Sequence, residues 1–473
     1  MTNSAKSIFK NFGFSFTSNA VSVLISALVI AVVPKLITVA DYGYYQLYIF
    51  YAAYTGFFHF GWVDGIYLKY GGIHYEDYEK PLINGQFWSL AAFEAAVTAL
   101  LSGAVLLLVP EVDRQFVLLL TAVSILFVIP RTMLSYLLQI SNRIREYSLV
   151  VIVEKLAYLL LTFALLLLGV RSYRPLVAAD VAGKAASMVL GMYYCRDIIF
   201  CGKFTALART VKEAWENTCI GIKLMIANVA SMLILGIVRM CIENRWDIET
   251  YAKVSLAISV SSMLMVFINA VGIVLFPILK RIDRERMREI YVKIRDVLMV
   301  VLLGMMFVYY PAQWLLSRWL PDYAESFVYM SILFPMCIYE SKMSLLINTY
   351  FKALRKEREL LLANVLTVVL SAALSGLCVY VLSSITLSMV SVVVLFAFRC
   401  LFCETILARE LGLSFVGDSL AELAVCALFM LCSTQLSLLP ALCAYAVVYA
   451  AYLYYKKETL HNFLDILKKL LHR

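Results

Sequence analysis

The chain has 473 residues, of which 63% belong to the apolar and aromatic set (Ala, Val, Ile, Leu, Met, Phe, Trp, Tyr and Cys) and only 15% are charged. A water-soluble fold cannot hide that much apolar surface, and the apolar residues fall in runs long enough to cross a bilayer, so the composition excludes a soluble protein and indicates an integral membrane one. The net charge of +9 is then read as a matter of membrane topology, and no nucleic-acid partner is expected.

In chain order, the apolar runs predict membrane helices at 14–37, 44–67, 86–109, 116–140, 148–170 and 176–194. The first follows Lys6 and Lys10 like a signal peptide, but it is too long for one and lacks a small-residue cleavage site, so it reads as a retained helix. A polar linker at 201–218 leads to six more, at 219–242, 254–279, 297–316, 326–350, 360–382 and 387–407, and a hairpin at 420–436 and 438–455 brings the prediction to fourteen. The expected fold is all-α and integral to the membrane. Its lobes are 1–200 (helices one to six) and 219–409 (helices seven to twelve), followed by a helix pair within 410–455 and a tail at 456–473. In that tail Leu460, Phe463, Leu464, Leu467 and Leu471 share a helical face, as in a helix lying on the inner leaflet.

Loop charge tests this list. Alternate connections, starting with the N-terminus, hold 27 Lys and Arg, and the opposite set holds 7. Positive residues stay on the cytosolic side, so both termini are expected there. The first helices of the two lobes also repeat. At an offset of 209 residues Asn19 matches Asn228, Ser22 Ser231, Leu24 Leu233, Ile25 Ile234, Val29 Val238, Tyr42 Tyr251 and Leu47 Leu256. Six helices per copy give both the same orientation, hence lobes related by a pseudo-two-fold axis along the membrane normal with a cleft between them.

No HExxH, GxSxG or phosphate-loop pattern occurs, so no catalytic residue, cofactor or resident metal is expected. Most of the eleven cysteines lie in apolar runs, and Cys400 and Cys403 lack a second ligand pair.

Several stretches resemble the oligosaccharide flippase branch (polysaccharide biosynthesis, O-antigen transporter type) of the multidrug/oligosaccharidyl-lipid/polysaccharide exporter superfamily. They are ITVADYGYYQLYIF and HFGWVDGIYLKYGG, with Asp41, Tyr42, Gly43, Gly61, Gly65 and Tyr70, then LLQISNRIREYSLVVIVEKL, IVLFPILKRI with Pro277, and NTYFKALRKERE. The resemblance implies alternating-access movement of a polyprenyl-diphosphate-linked glycan, such as an undecaprenyl-diphosphate repeat unit, from the cytosolic to the outer leaflet of the bacterial cytoplasmic membrane. It implies membrane lipids, a polysaccharide polymerase and glycosyltransferases as partners. A multidrug or cation antiporter of the same superfamily and a peptidoglycan-precursor flippase are the alternatives.

With Lys35, at the end of the first predicted helix, counted among the connections, seven cations remain inside predicted helices: Arg131, Lys155, Lys184, Lys223, Arg239, Lys342 and Arg399. Each costs about 2.5 kcal/mol or more at the bilayer centre unless paired or wet. The first six are candidate contacts to a diphosphate headgroup. Arg399 reads as a packing partner of Glu404 or a peripheral group. Glu94, Glu154, Asp180 and Glu340 are candidate coupling-ion carriers. Asp180 and Lys184 are spaced to pair on one helix face, whereas adjacent Glu154 and Lys155 need not pair. Asp64 and Glu404 read as solvated helix ends. Tyr44, Tyr45, Tyr48, Tyr51 and Tyr54 could offer hydroxyls and ring faces to sugars, and Pro34, Pro130, Pro311 and Pro335 mark helix bends.

Overall fold

In hydrocarbon every backbone N–H and C=O must be satisfied within the protein, and a lone segment achieves that only as a helix. The computed structural model accordingly holds helices joined by turns, with no strand among the described residues, which are 2–202, 205–279, 284–354 and 356–457. The helices are α1 (Thr2–Leu36), α2 (Val39–Ala52), α3 (Trp62–Lys69), α4 (Lys80–Leu108), α5 (Val112–Ile140), α6 (Ile144–Leu167), α7 (Tyr173–Tyr194), α8 (Arg196–Ile199), α9 (Leu207–Arg245) and α10 (Ile248–Leu279). They continue as α11 (Arg284–Met305), α12 (Tyr309–Trp319), α13 (Ala324–Leu333), α14 (Met336–Lys342), α15 (Asn348–Ala353), α16 (Glu357–Gly376), α17 (Ile385–Leu411), α18 (Val416–Gln435) and α19 (Leu438–Tyr455). The predicted amphipathic tail lies, from residue 458 on, outside the described residues.

Ten helices of the described residues are long and apolar enough to cross a membrane, and eleven if Pro321–Leu333 and Met336–Phe351, bent by 43°, form one span. Each of the fourteen predicted segments overlaps helix, but not each is one straight span. The segment at 44–67 is interrupted between α2 and α3, where Phe60 and Gly61 both have positive φ (50° and 89°) and His59 Nδ1 accepts the Gly61 N–H at 2.9 Å. The segment at 297–316 is divided by a tight turn at Met306–Val308, and that at 326–350 bends at Pro335, which has no N–H to continue the ladder. Pro34 and Pro130, by contrast, are accommodated inside α1 and α5.

The chain forms two compact units, 1–229 and 230–473. In the first, α5 is central and packs against α2, α3, α4, α6 and α7. Its apolar core includes Val63, Phe87, Ile129, Met133, Leu137 and Val150. In the second, α17 packs against α13, α14 and α16, while α18 and α19 form a hairpin whose α19 touches α11 and α12. The boundary falls inside the 39-residue α9. Much of the predicted 201–218 linker is the start of that helix, held on the first unit by close backbone contact. A Cβ on Gly65 would lie 1.8 Å from the Asn217 carbonyl oxygen, and one on Gly221 would lie 2.0 Å from that of Gly61. This is a small-residue helix crossing of the kind membrane interiors favour.

The 209-residue repeat extends to helix boundaries and caps. The same offset carries the end of α1 at Leu36 to the end of α9 at Arg245, and the start of α2 at Val39 to the start of α10 at Ile248. Thr38 caps α2 by accepting the Asp41 N–H at 3.1 Å, and Asp247, its counterpart, caps α10 by accepting the Thr250 N–H at 2.8 Å. Ile25 and Ile234, Val29 and Val238, Tyr42 and Tyr251, and Leu47 and Leu256 are buried in both copies. Thr38→Ala and Asp247→Ala should each cost about 1 kcal/mol and add in the double variant, since the caps belong to separate units. Thermal unfolding in detergent tests this, and a double variant no worse than either single one would contradict independent caps.

Candidate functional site

Within the first unit, α2, α5, α6 and α7 bring three of the predicted cations to two carboxylates. Arg131, one residue after Pro130, reaches across from α5 to Glu154 on α6 in a close ion pair. Its Nε is buried without a hydrogen-bond partner. Glu154 also contacts its neighbour Lys155 at 3.4 Å, a pairing that their adjacency on the helix left open. On α7, Lys184 and Asp180 pair at 2.6 Å, one turn apart as their spacing predicts. Both are tied to α2 through Tyr48, whose hydroxyl donates to Asp180 at 2.6 Å and accepts from Lys184 at 3.1 Å. Beside it the Tyr45 and Tyr158 hydroxyls hydrogen-bond to each other. The α6 and α7 backbones approach closely here: a Cβ on Gly183 would come within 2.8 Å of the Glu154 carbonyl oxygen. The cluster thus holds Arg131, Lys155 and Lys184 against Glu154 and Asp180, one positive charge in excess. Lys155 is its accessible member, with 36% of its side chain exposed. Of the five tyrosines that could offer hydroxyls and ring faces to sugars, Tyr45 and Tyr48 are buried in this network and Tyr44 donates to Glu111 at 2.6 Å.

The second unit contains a larger network that loop reading obscures. Arg295, counted from sequence among cytosolic loop charges, lies on α11 with 0% exposure. Its guanidinium meets Glu404 at 2.6 Å, Glu422 at 2.8 Å, Asp418 at 3.4 Å and Asp296 at 3.5 Å. Lys342, on α14, bonds the other oxygens of Glu404 and Glu422 at 2.7 and 2.8 Å. Lys456, just beyond α19, bonds Asp296 at 2.7 Å and Asp418 at 2.8 Å. Glu404 is therefore no solvated helix end: it is 2% exposed. A cavity of about 430 Å³ between the end of α17 and the start of α18 has Glu404 and Ser419 in its wall. Three cations against four carboxylates leave this network one negative charge in excess. Sequence reasoning found only Lys342. The missed signal was Glu422, a carboxylate inside a predicted span, one helical turn from Asp418.

The remaining candidates lie apart from these two networks. Arg399 does not pack with Glu404. It is buried on α17, where it donates to Asn364 at 2.8 Å, Glu340 at 3.0 Å and Ser231 at 3.0 Å. Glu340 is thus tied to a fixed guanidinium. Arg239 donates to the Tyr251 hydroxyl at 3.0 Å and to Ser255 at 3.1 Å. Lys223 is exposed on α9 and joins neither network. Glu94 is fully buried on α4, and neither carboxylate oxygen has a hydrogen-bond partner. Asp64, predicted as a solvated helix end, is buried instead, 4.0 Å from His59 Nε2.

No protein-family model and no curated protein sequence matches this chain. Solved structures do match. The chain is similar to the lipid II flippase MurJ in its inward closed conformation, with TM-score 0.68 and 12% identity over 95% of this chain and 99% of that one. It is also similar to a multidrug resistance MATE family transporter of the MOP superfamily. The inward-facing form gives TM-score 0.63 at 9% identity over 83% of this chain and 97% of that one. The outward-facing form gives 0.58 at 10% identity over 86% and 95%. At these identities what is shared is the fold, and the chain is a multi-pass, all-α membrane protein with the two-lobe architecture found in a lipid flippase and in multidrug transporters.

Proposed function

We propose that this protein is a non-enzymatic transporter of the MOP superfamily that flips a lipid-linked oligosaccharide, of the undecaprenyl-diphosphate repeat-unit class, from the cytosolic to the outer leaflet of a bacterial cytoplasmic membrane. The observation that carries the reading is the excess positive charge of the Arg131, Glu154, Lys155, Asp180 and Lys184 cluster, with Lys155 accessible. Fixed cations held away from bulk water at a hydrogen-bonding site suit a diphosphate. Guanidinium and ammonium would hold the phosphates, and the polyprenyl chain would remain in lipid. Export proceeds by alternating access, with N- and C-termini cytosolic as the 27 to 7 charge split indicates. Surface polysaccharide assembly by a polymerase and glycosyltransferases would supply the partners. The likeness to a structure described as a lipid II flippase supports a lipid-linked substrate, and makes a peptidoglycan precursor the nearest second reading.

The test is translocation of a fluorescent polyprenyl-diphosphate oligosaccharide in proteoliposomes. Lys155→Gln should slow it about tenfold, the loss of one charge-assisted hydrogen bond to phosphate, with insertion and melting temperature unchanged. Lys212→Gln, on the exposed face of α9, should match the parent. Equal rates for Lys155→Gln and the parent would remove the cluster from the mechanism. Uptake of cationic dyes without lipid movement would favour a multidrug antiporter.

A further inference from the structure

At the end of the first unit where α5 and α7 finish and α4 and α6 begin, the connecting loops and α8 line a pocket of about 680 Å³. That volume is ordinary for a small-ligand site. Its wall carries two arginines, each laid over a tyrosine ring, Arg143 on Tyr75 at 4.4 Å and Arg196 on Tyr193 at 5.1 Å. Some of the charge there is already matched. Arg143 bonds Glu146 at 3.3 Å and the Tyr194 carbonyl at 3.2 Å. Asp197 takes Lys80 at 2.8 Å and the Tyr75 hydroxyl at 2.8 Å. Partial burial works against the ionised form of Asp197, but the bonds from Lys80 and Tyr75 outweigh it and hold the carboxyl below its usual range. The lining retains one guanidinium, Arg196, and one carboxylate, Glu76. Both are exposed, and neither has an oppositely charged side chain within 4.0 Å among the described residues.

Lys80 acts on Glu76 only at longer range, so the pocket offers one charge of each sign outside any close ion pair, which matches a ligand that carries both. Its setting identifies the source. The helices that frame it, α4 to α7, are all candidate spans, and Tyr193 in its wall leaves more than half of its surface exposed. It therefore opens at headgroup level, where tyrosines collect. We propose that this pocket binds the headgroup of a zwitterionic membrane lipid bearing a primary ammonium, of the phosphoethanolamine type, with the phosphate on Arg196 and the ammonium on Glu76. A quaternary ammonium fits less well. It has no N–H for Glu76 to accept and calls for open aromatic faces, whereas Tyr75 and Tyr193 are covered by arginines. The inference needs only the membrane setting of the first unit and is independent of which substrate is transported.

The full chain, purified into micelles containing equal amounts of phosphatidylethanolamine, phosphatidylcholine and phosphatidylglycerol, would be examined for retained lipid by native mass spectrometry. Phosphatidylethanolamine should be enriched about tenfold over the others, the scale of one charge-assisted contact. Arg196→Gln and Glu76→Gln should each return retention to the bulk ratio with unchanged melting temperature, and Arg318→Gln, beside Trp314 in the second unit, should leave the enrichment intact. Retention by the parent at the bulk ratio would overturn the proposal, as would enrichment that survives the Arg196 and Glu76 double variant. Soluble phosphoethanolamine is the remaining arm: saturable binding of it, with lipids retained at the bulk ratio, would place the same chemistry in a water-soluble ligand and refute a lipid occupant.

Discussion

Arg295→Met is expected to destabilise the second unit by about 3–5 kcal/mol, the cost of removing one partner from a buried ion-pair network. The residue is fully buried and touches all four carboxylates of its network. Without it Glu404, Glu422, Asp418 and Asp296 share only Lys342 and Lys456, and two negative charges are left over rather than one net. Loss of the folded peak in size-exclusion chromatography, or a melting temperature lowered by many degrees, is the expected reading. The network is costly to break but not costly to replace as a whole. A quadruple variant, Arg295→Met and Lys342→Met with Glu404→Gln and Glu422→Gln, removes both cations together with the two carboxylates they share, leaves Lys456 on Asp296 and Asp418, and should regain much of the loss. A single variant that melts with the parent would mean that water reaches this site.

Gly65→Val is expected to be comparably severe for a purely steric reason. The new Cβ would stand 1.8 Å from the Asn217 carbonyl oxygen, and a backbone atom cannot swing aside as a side-chain tip can. Overpacking of this sort costs up to about 3 kcal/mol and sometimes more, here by prising α9 from α3. Gly103→Ala makes the contrasting case. It lies inside α4 with nothing within 4 Å of the new methyl, so the gain in helix propensity should stabilise by about 0.5–1 kcal/mol. The pair of melting temperatures should move in opposite directions. A Gly65→Val protein as stable as the parent would show that the α3–α9 crossing is looser than its geometry implies.

Helix positions were legible from the sequence because hydrocarbon allows so few alternatives: the apolar runs at 116–140 and 387–407 lie within α5 and α17, and that at 86–109 ends one residue past α4. Where the reading went astray, local chemistry competed with hydropathy. The run at 44–67 is apolar enough to look continuous, but Phe60 and Gly61 adopt positive φ and His59 folds back on the backbone. Pairing of the buried charges was legible only within a turn of helix, as for Asp180 and Lys184. Arg295 was hidden by its basic surroundings in the sequence, and three of its four partners come from α17 and α18, more than a hundred residues away. Proximity along α17 offers Arg399 either Glu404 or a peripheral position, whereas packing of α14 and α16 supplies Glu340 and Asn364. No one-dimensional pattern encodes which face of a third helix will supply the counter-charge.

The caps at Thr38 and Asp247 separate what the repeat keeps from what it varies. Helix boundaries and cap geometry hold register across 209 residues, whereas the buried charge does not: the cluster of the first unit has one positive charge in excess and the network of the second one negative. A chain built by joining two first halves would be expected to keep the helical scaffold and lose that opposition of sign, leaving two lobes with an excess of cations.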